Sequence, residues 1–419
     1  MSSKFLSSLD IIPEKEDIKE IKKRTDEFIA ELKSSIKKNK VSAEIFIAGS
    51  FAKDTMLKGE YYEVDLFVRF KDSRDISNGK FEKVVNDVCK KHFQYKQIHG
   101  SRDYFFVKLS ENIVLEIVPV LWVRNPRDAE NVTDLSYSHV KYVKSKISRN
   151  KSLKKEILLA KEFCKAQGVY GAESYIHGFS GYALECLVIN YGSFAKFLNV
   201  VSKSDKIIID PGKHYKNKQE VLISLNESKI QGPIILVDPT WKERNVLAAL
   251  DWKTYEKTKE IAKRYLKKPD LNFFKKVVFS EENFVRKAEK SNSEMLSIKI
   301  KTSKQEGDIA GTKLKKFFNF VNSELDKRFK VLDSHFEYSG IKEADLYYSV
   351  KSKKNVKKGP PVKMKENVVK FKKMNKKTFV KSGSIYAEVP EIKVNKWLEG
   401  FLKVRGKQIK DMDISEIGY

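Results

Sequence analysis

The chain has 419 residues, 41% of them hydrophobic, enough apolar material for two to four domains, and its formal charge of +27 sets up a field that draws polyanions. No apolar run is long enough to span a bilayer and no amphipathic anchor rich in exposed aromatics stands out, so nucleic acid is favoured over membrane as the anionic partner. Three cysteines, Cys89, Cys164 and Cys186, lie in no CxxC pair or zinc-like spacing, and Met1-Ser2-Ser3-Lys4 leads into a charged helical pattern instead of an apolar signal, so a cytoplasmic protein with reduced thiols is expected.

In chain order, Ile18, Ile21, Phe28, Ile29, Leu32 and Ile36 recur at helical spacing and predict a helix over residues 13–38, with Pro13 in its first turn. A strand over 43–48 runs into Gly49-Ser50, and 51–58 reads as a short helix closed by Gly59. A strand over 63–70, a helix over 81–92 and strands over 104–109 and 112–118, the last stopped by Pro119, complete a small mixed α/β domain. It is assigned residues 1–145. Helical patterns over 153–167, 180–191, 193–201 and 252–266, interrupted by apolar strands at 207–210 and 234–238, make 146–270 a helix-rich central domain. Residues 271–419 alternate strands and helices (strands at 296–300, 346–350 and 384–389, helices at 312–329 and 394–402) and read as an α+β domain. The whole is an α+β multidomain chain.

The chemistry concentrates in the first domain. Strand side chains alternate faces, so Glu63 and Asp65 point the same way. Paired carboxylates repel unless a cation lies between them, and magnesium, with its preference for oxygen ligands and phosphates, meets that need. Glu116 is a third acid, set among the β-branched residues of a later strand, where a carboxylate needs a lysine or metal partner. Each acid alone reads as a solvated or lysine-paired group. The order strand, Gly-Ser turn, helix, acidic pair, third acid reads as a two-metal phosphoryl-transfer site. Gly49 and Ser50 would let backbone N–H groups and a hydroxyl approach phosphate oxygens; Ser50 as a plain helix cap is the simpler account.

Gly49-Ser50 followed after twelve residues by Glu63-x-Asp65 resembles the signature of the polymerase-β nucleotidyltransferase superfamily. The stretches GSFAKDTMLKGEYYEVDLFVRF, KEFCKAQGVYGAESYIHGFSGYALECLVINYGSF, VDPTWKERNVLAAL and GPPVKMKENVVKFKK are similar, in the family's order, to the class I archaeal CCA-adding enzymes. The resemblance implies a polymerase-β-like catalytic head, a nucleotide-binding neck, and a body and tail that grip tRNA. It implies that Glu63, Asp65 and Glu116 are the catalytic, metal-holding carboxylates. It further implies that Gly49, Ser50, Lys53, Lys161 and Tyr170 hold the nucleotide triphosphate, and that Arg244 and His139 approach its base. Two positions depart from the family: Glu116 stands where the third acid is usually Asp, and Asp134-Leu135-Ser136-Tyr137-Ser138-His139 lacks the usual Arg-Thr-Pro after the Asp and the second His.

The activity implied is template-independent addition of CCA to the 3′ end of tRNA from CTP and ATP with Mg2+, releasing pyrophosphate; homodimerisation is left open. A poly(A) polymerase or oligoadenylate-type synthase, and a catalytically inactive RNA-binding homologue, are the rival readings. Residues 351–381 carry thirteen lysines against the single acid Glu366. A run of this kind is usually a solvated tail. Val368, Phe371, Met374, Phe379 and Val380 are expected to anchor it as a folded platform, on which Lys363, Lys365, Lys372 and Lys373 would meet tRNA.

Overall fold

The computed structural model describes residues 9–353 and 356–419; the Met1-Ser2-Ser3-Lys4 start and Lys354 of the lysine run lie outside the described residues. The chain forms two compact units. One comprises the residues through Ala172 together with Ile176–Val277, the other Val278–Tyr419 together with Glu173–Tyr175.

The first unit opens with helix α1, Lys15–Lys38, which begins two residues after Pro13. Acids in its first turn and lysines in its last follow the helix dipole, and Ile21, Phe28, Leu32 and Ile36 form its buried stripe. A five-stranded sheet follows: β1 Ala43–Ile47, β2 Tyr62–Phe70, β3 Gln94–Ile98, β4 Tyr104–Lys108 and β5 Ile113–Leu121, in the order β1-β2-β5-β4-β3. All pairings are antiparallel except β2 with β5, which run parallel. One face, carrying Val64, Leu66, Val68, Ile113, Leu115 and Ile117, packs on α1 and on helix α2, Lys80–His92, through Phe28, Leu32, Phe81 and Val85. By alternation the opposite face carries Glu63, Asp65 and Glu116.

Two local expectations fail here. The helix after Gly49-Ser50 is the single turn Gly49–Ala52, and the chain through Gly59 is irregular. Strand β5 does not stop at Pro119 but runs on to Leu121. Its pairing with β4 ends at Ile117, whereas β2 continues beside it to Leu121, so the proline lies where β5 has become an edge on the β4 side and no N–H is required there.

The rest of this unit is helical: α3 Ser136–Arg149, α4 Ser152–Ala166, α5 Gly181–Tyr191, α6 Phe194–Lys203 and α7 Trp252–Lys267. Phe163, Phe179, Phe194, Phe197, Tyr255 and Tyr265 fill their common core, with Cys164 and Cys186 buried among them and unbridged. A small sheet, β6 Ile207–Ile209, β7 Ile234–Asp238 and β8 Trp241–Asn245, is set against the helices in that order.

In the second unit, strands β9 Glu294–Thr302, β10 Phe329–Tyr338, β11 Glu343–Ser352 and β15 Ile414–Gly418 form a sheet ordered β10-β11-β9-β15. Helices Asp308–Arg328 and Val394–Lys410 cover it through Leu314, Phe317, Val321, Leu398 and Phe401. A smaller sheet, β12 Val356–Pro361, β13 Thr378–Lys381 and β14 Ser384–Glu388, carries the helix Lys365–Met374. Of the five anchors expected in the lysine run, Phe371 is buried against Ile385 and Ala387, and Val368 packs beside it. Phe379 and Val380 are exposed, because β13 is an edge strand of a sheet too small to cover both its faces, and Met374 is exposed at the last position of the helix. Among the described residues no helix is long and apolar enough to cross a membrane.

Candidate active site

Parallel pairing of β2 and β5 puts Asp65 directly beside Glu116, with Glu63 one same-face position away on β2. The three carboxyl groups load one another. Burial and then the charge of Glu63 push Asp65 up to about 6. Burial, a hydrogen bond with Glu63 and the charge of Asp65 raise Glu116 well above the carboxylate range. Among the described residues no three acidic, histidine or cysteine side chains stand at metal-coordinating spacing. The donor set, carboxylate oxygens carried on one face of β2 and β5, is nonetheless the type a hard divalent cation takes.

Gly49 explains how the chain leaves β1 beside this group. Its φ is +59°, and a Cβ there would fall 1.5 Å from an oxygen of the Asp65 carboxylate. Only glycine permits both the left-handed turn and this approach. Ser50 follows in the same four-residue turn.

Next to the carboxylates lies a buried ionic cluster. Lys53, just after the turn, donates to Oε2 of Glu185 at 2.7 Å. Lys161 of α4 donates to Oε1 of Glu185 at 2.8 Å and to the Thr55 carbonyl and hydroxyl oxygens at 3.0 Å. The Thr55 hydroxyl donates to Oε1 of Glu185 at 2.7 Å. Glu185, on α5, is fully buried, and both lysines are nearly so. Burial pushes Glu185 up, but Lys161 and Lys53 outweigh it and hold the carboxyl at about 2. Lys161 responds in the opposite sense: burial lowers its ammonium below the ordinary value despite Glu185. The two shifts reconcile once the charges are counted. One carboxylate is divided between two ammonium groups, so the anion is over-satisfied and a positive charge is left over. Both lysines act electrostatically on Asp65, so this surplus lies within reach of the carboxylates. Tyr170, half-buried beyond the end of α4, converges on the same place: a Cβ on Gly181 would come within 2.8 Å of the Tyr170 hydroxyl and 3.7 Å of Cε of Lys161.

A second cluster gathers around Asp238, the last residue of β7. His139 of α3 meets its Oδ2 at 3.0 Å, and Arg244 donates to the same oxygen at 2.7 Å. Arg244 lies in strand β8. The His139 ring stacks on Tyr182 at 4.1 Å between centroids, and the Lys53 ammonium lies 5.7 Å from the Tyr182 ring centre. Burial and the facing cations keep His139 below its ordinary value although Asp238 pulls it up. Glu185, Asp238, Tyr182 and Thr55 were not singled out in the sequence. Glu185 carried a readable signal, a lone acid inside the apolar helix LECLVI.

In the second unit Lys363 and, on the helix Lys365–Met374, Lys365, Lys372 and Lys373 are all exposed.

Comparison with known proteins adds the following. Residues 155–275 match the family described as tRNA nucleotidyltransferase, second domain, and residues 2–155 match the Second Messenger Oligonucleotide or Dinucleotide Synthetase domain. The CCA-adding enzyme of Nanoarchaeum equitans (strain Kin4-M) is 35% identical over 319 residues, 75% of this chain and 74% of that protein. The CCA-adding enzyme of Methanosarcina acetivorans is 30% identical over 359 residues, 83% of this chain and 75% of that protein. Among solved structures, the Cid1 poly(U) polymerase with Mg 3′-dATP bound aligns at a TM-score of 0.52 and 15% identity, covering 65% of this chain and 98% of that one; the likeness is one of polymerase-β-like fold.

The ionic cluster yields a stability prediction. Glu185 titrates lower in the folded chain than its ordinary 4.5, so its contribution is present above that value and is lost as pH falls through about 2. Glu185→Gln, which strands two buried ammonium groups, is expected to destabilise the first unit by about 3–5 kcal/mol at neutral pH. Urea unfolding repeated near about pH 3, between the two values, should show the deficit shrinking as the carboxylate of the unfolded wild-type chain protonates while the folded one stays ionised. A constant deficit across that range would mean that Glu185 is not the anion of the cluster.

Proposed function

The chain belongs to the CCA-adding enzymes, tRNA nucleotidyltransferases of the polymerase-β superfamily that build CCA on the 3′ end of tRNA from CTP and ATP, and we propose a division of that labour among the residues described above. In the reaction the terminal 3′-hydroxyl attacks the α-phosphorus of the nucleotide. A new P–O bond forms, the bond to the β-phosphate oxygen breaks, pyrophosphate leaves and the hydroxyl proton is released. The enzymes of this superfamily use divalent metal ions. In our reading Glu63, Asp65 and Glu116 would hold them, with magnesium as the working cation. Cations so held neutralise charge at the phosphates and make the attacking hydroxyl more acidic.

The observation that carries this reading is the adjacency of opposite surpluses: crowded carboxylates on β2 and β5, and an over-supplied pair of ammonium groups, Lys53 and Lys161, within reach of Asp65. A nucleotide bound through a triphosphate would relieve both. Its anionic oxygens answer the excess charge of the lysines, with Tyr170 and Ser50 as neutral donors, and its metal answers the carboxylates. Glu116 keeps the carboxylate of the Asp it replaces, one methylene further from the backbone.

Arg244 and His139 take the other end of the nucleotide. Cytosine and adenine share an edge, a ring nitrogen acceptor beside an amino group; uracil and guanine present a ring N–H beside a carbonyl. A guanidinium N–H fixed against the ring nitrogen suits the first pair and opposes the second, which accounts for one site accepting both CTP and ATP. The domains follow the same reading, with residues 1–145 as catalytic head, 146–270 as nucleotide-binding neck and 271–419 as the tRNA-binding part, acting in the cytoplasm.

The function is tested by incubating tRNA that ends at the discriminator base with each nucleotide and sequencing the 3′ end. Addition of two C residues with CTP, and of a terminal A only once ATP is supplied, is expected. Runs of A from ATP alone would point instead to a poly(A) polymerase. The exposed lysines of the tail are expected to contact RNA backbone. Replacing Lys363, Lys365, Lys372 and Lys373 by Gln should weaken tRNA binding and lower the slope of log affinity against log salt by roughly 0.9 per lost phosphate contact. Addition at saturating tRNA should be little changed. An unaltered salt slope would make the lysine run a bystander.

A further inference from the structure

The carboxylate of Asp238 is fully buried and accepts five hydrogen bonds from three separate parts of the chain. Its Oδ1 receives the Thr240 backbone N–H at 2.8 Å, the Thr240 hydroxyl at 2.8 Å and the Tyr182 hydroxyl at 3.1 Å. Its Oδ2 receives His139 at 3.0 Å and Arg244 at 2.7 Å. The first two contacts belong to an ordinary Asp-initiated turn between β7 and β8, and such a turn uses one carboxylate oxygen on the surface of a loop. Here the second oxygen faces inward and binds two side chains that the turn itself does not need. One of them is the half-buried Arg244 guanidinium, whose long side chain would otherwise sample many rotamers.

We propose that Asp238 is a positioning residue for nucleobase selection: it holds one N–H of Arg244 in place, so that the guanidinium meets the base at a fixed angle. The inference rests on the reading of Arg244 as the base-facing group. Three features support the role. Both groups read toward the base, His139 and Arg244, are tied to one oxygen, so a shift of either is felt by the other. Tyr182 stacks on His139 and donates to the other oxygen, so the same carboxylate fixes the ring that lies against the imidazole. A carboxylate is required: every group that meets it is a donor, and an amide would turn one of its two ends into a donor facing donors.

The test measures incorporation of CMP, AMP, UMP and GMP into tRNA under single-turnover conditions, together with binding of inorganic tripolyphosphate to the same proteins. Asp238→Asn should reduce the preference for CTP and ATP over UTP and GTP by at least about tenfold. It should leave tripolyphosphate affinity within about twofold, because Glu185, and not Asp238, organises the lysines. Asp238→Glu keeps the charge but displaces it and should lose selectivity in the same direction; it serves where the Asn variant fails to fold. Thr240→Val loosens the turn without touching the Arg244 contact and should retain selectivity. In a double variant, Arg244→Ala with Asp238→Asn should discriminate no worse than Arg244→Ala alone. Wild-type selectivity in both Asp238 variants while Arg244→Ala loses it would overturn the positioning role and leave the reading of Arg244 standing. Wild-type selectivity in Arg244→Ala would overturn the reading of Arg244, and the proposal with it.

Discussion

Glu185 is the interaction on which the first unit depends. A single buried carboxylate takes Lys53 from the turn after β1 and Lys161 from α4, more than 100 residues further along the chain than that turn. Without the anion the two ammonium groups would repel in a dry environment, and neither segment could bring its lysine to that place. With it they are held together yet not neutralised. The cluster sets two ammonium groups against one carboxylate, and both lysines act against the burial that raises Asp65. An anion bound there would meet ammonium groups already in place, with less reorganisation left for the moment of binding.

The opposite half of the site is a matter of strand parity and register. Glu63 and Asp65 share a face because they are two apart, and the parallel pairing of β2 with β5 then brings Glu116 alongside. A one-residue slip of β2 would turn Glu63 and Asp65 into the hydrophobic core, and one of β5 would do the same to Glu116. The apolar residues between them, Val64 and Leu66 on β2 and Leu115 and Ile117 on β5, therefore fix the chemistry as well as the fold. Gly49 shows how tight the result is, since a methyl group there has no room beside Asp65.

Much of this was legible in the sequence where periodicity carries the information. The alternation of β2 and β5 and the stripe of α1 come directly from residue spacing. The misses have physical causes. Pro119 stops a strand only where its N–H is needed, and that depends on which neighbour continues. The chain passes from the helix ending at Arg328 into β10 at Phe329 with no turn residue to mark the change. Phe379 and Val380 were expected inside because they are apolar, but an edge strand of a three-stranded sheet cannot cover them. Glu185 meets Lys53 across 132 residues and Asp238 meets His139 across 99, pairings that a single sequence does not reveal. The logic that flagged Glu116, an acid among apolar neighbours, applied equally to Glu185.

The central claim is that the carboxylates of β2 and β5 perform the chemistry while other parts of the molecule hold the RNA. Asp65→Asn tests it most directly, because the amide keeps the shape and removes the charge at the residue flanked by both other acids. Single-turnover CMP incorporation and tRNA affinity should be measured on the same preparation. The account predicts that incorporation is abolished while affinity stays near wild type. Incorporation near the wild-type rate would contradict it.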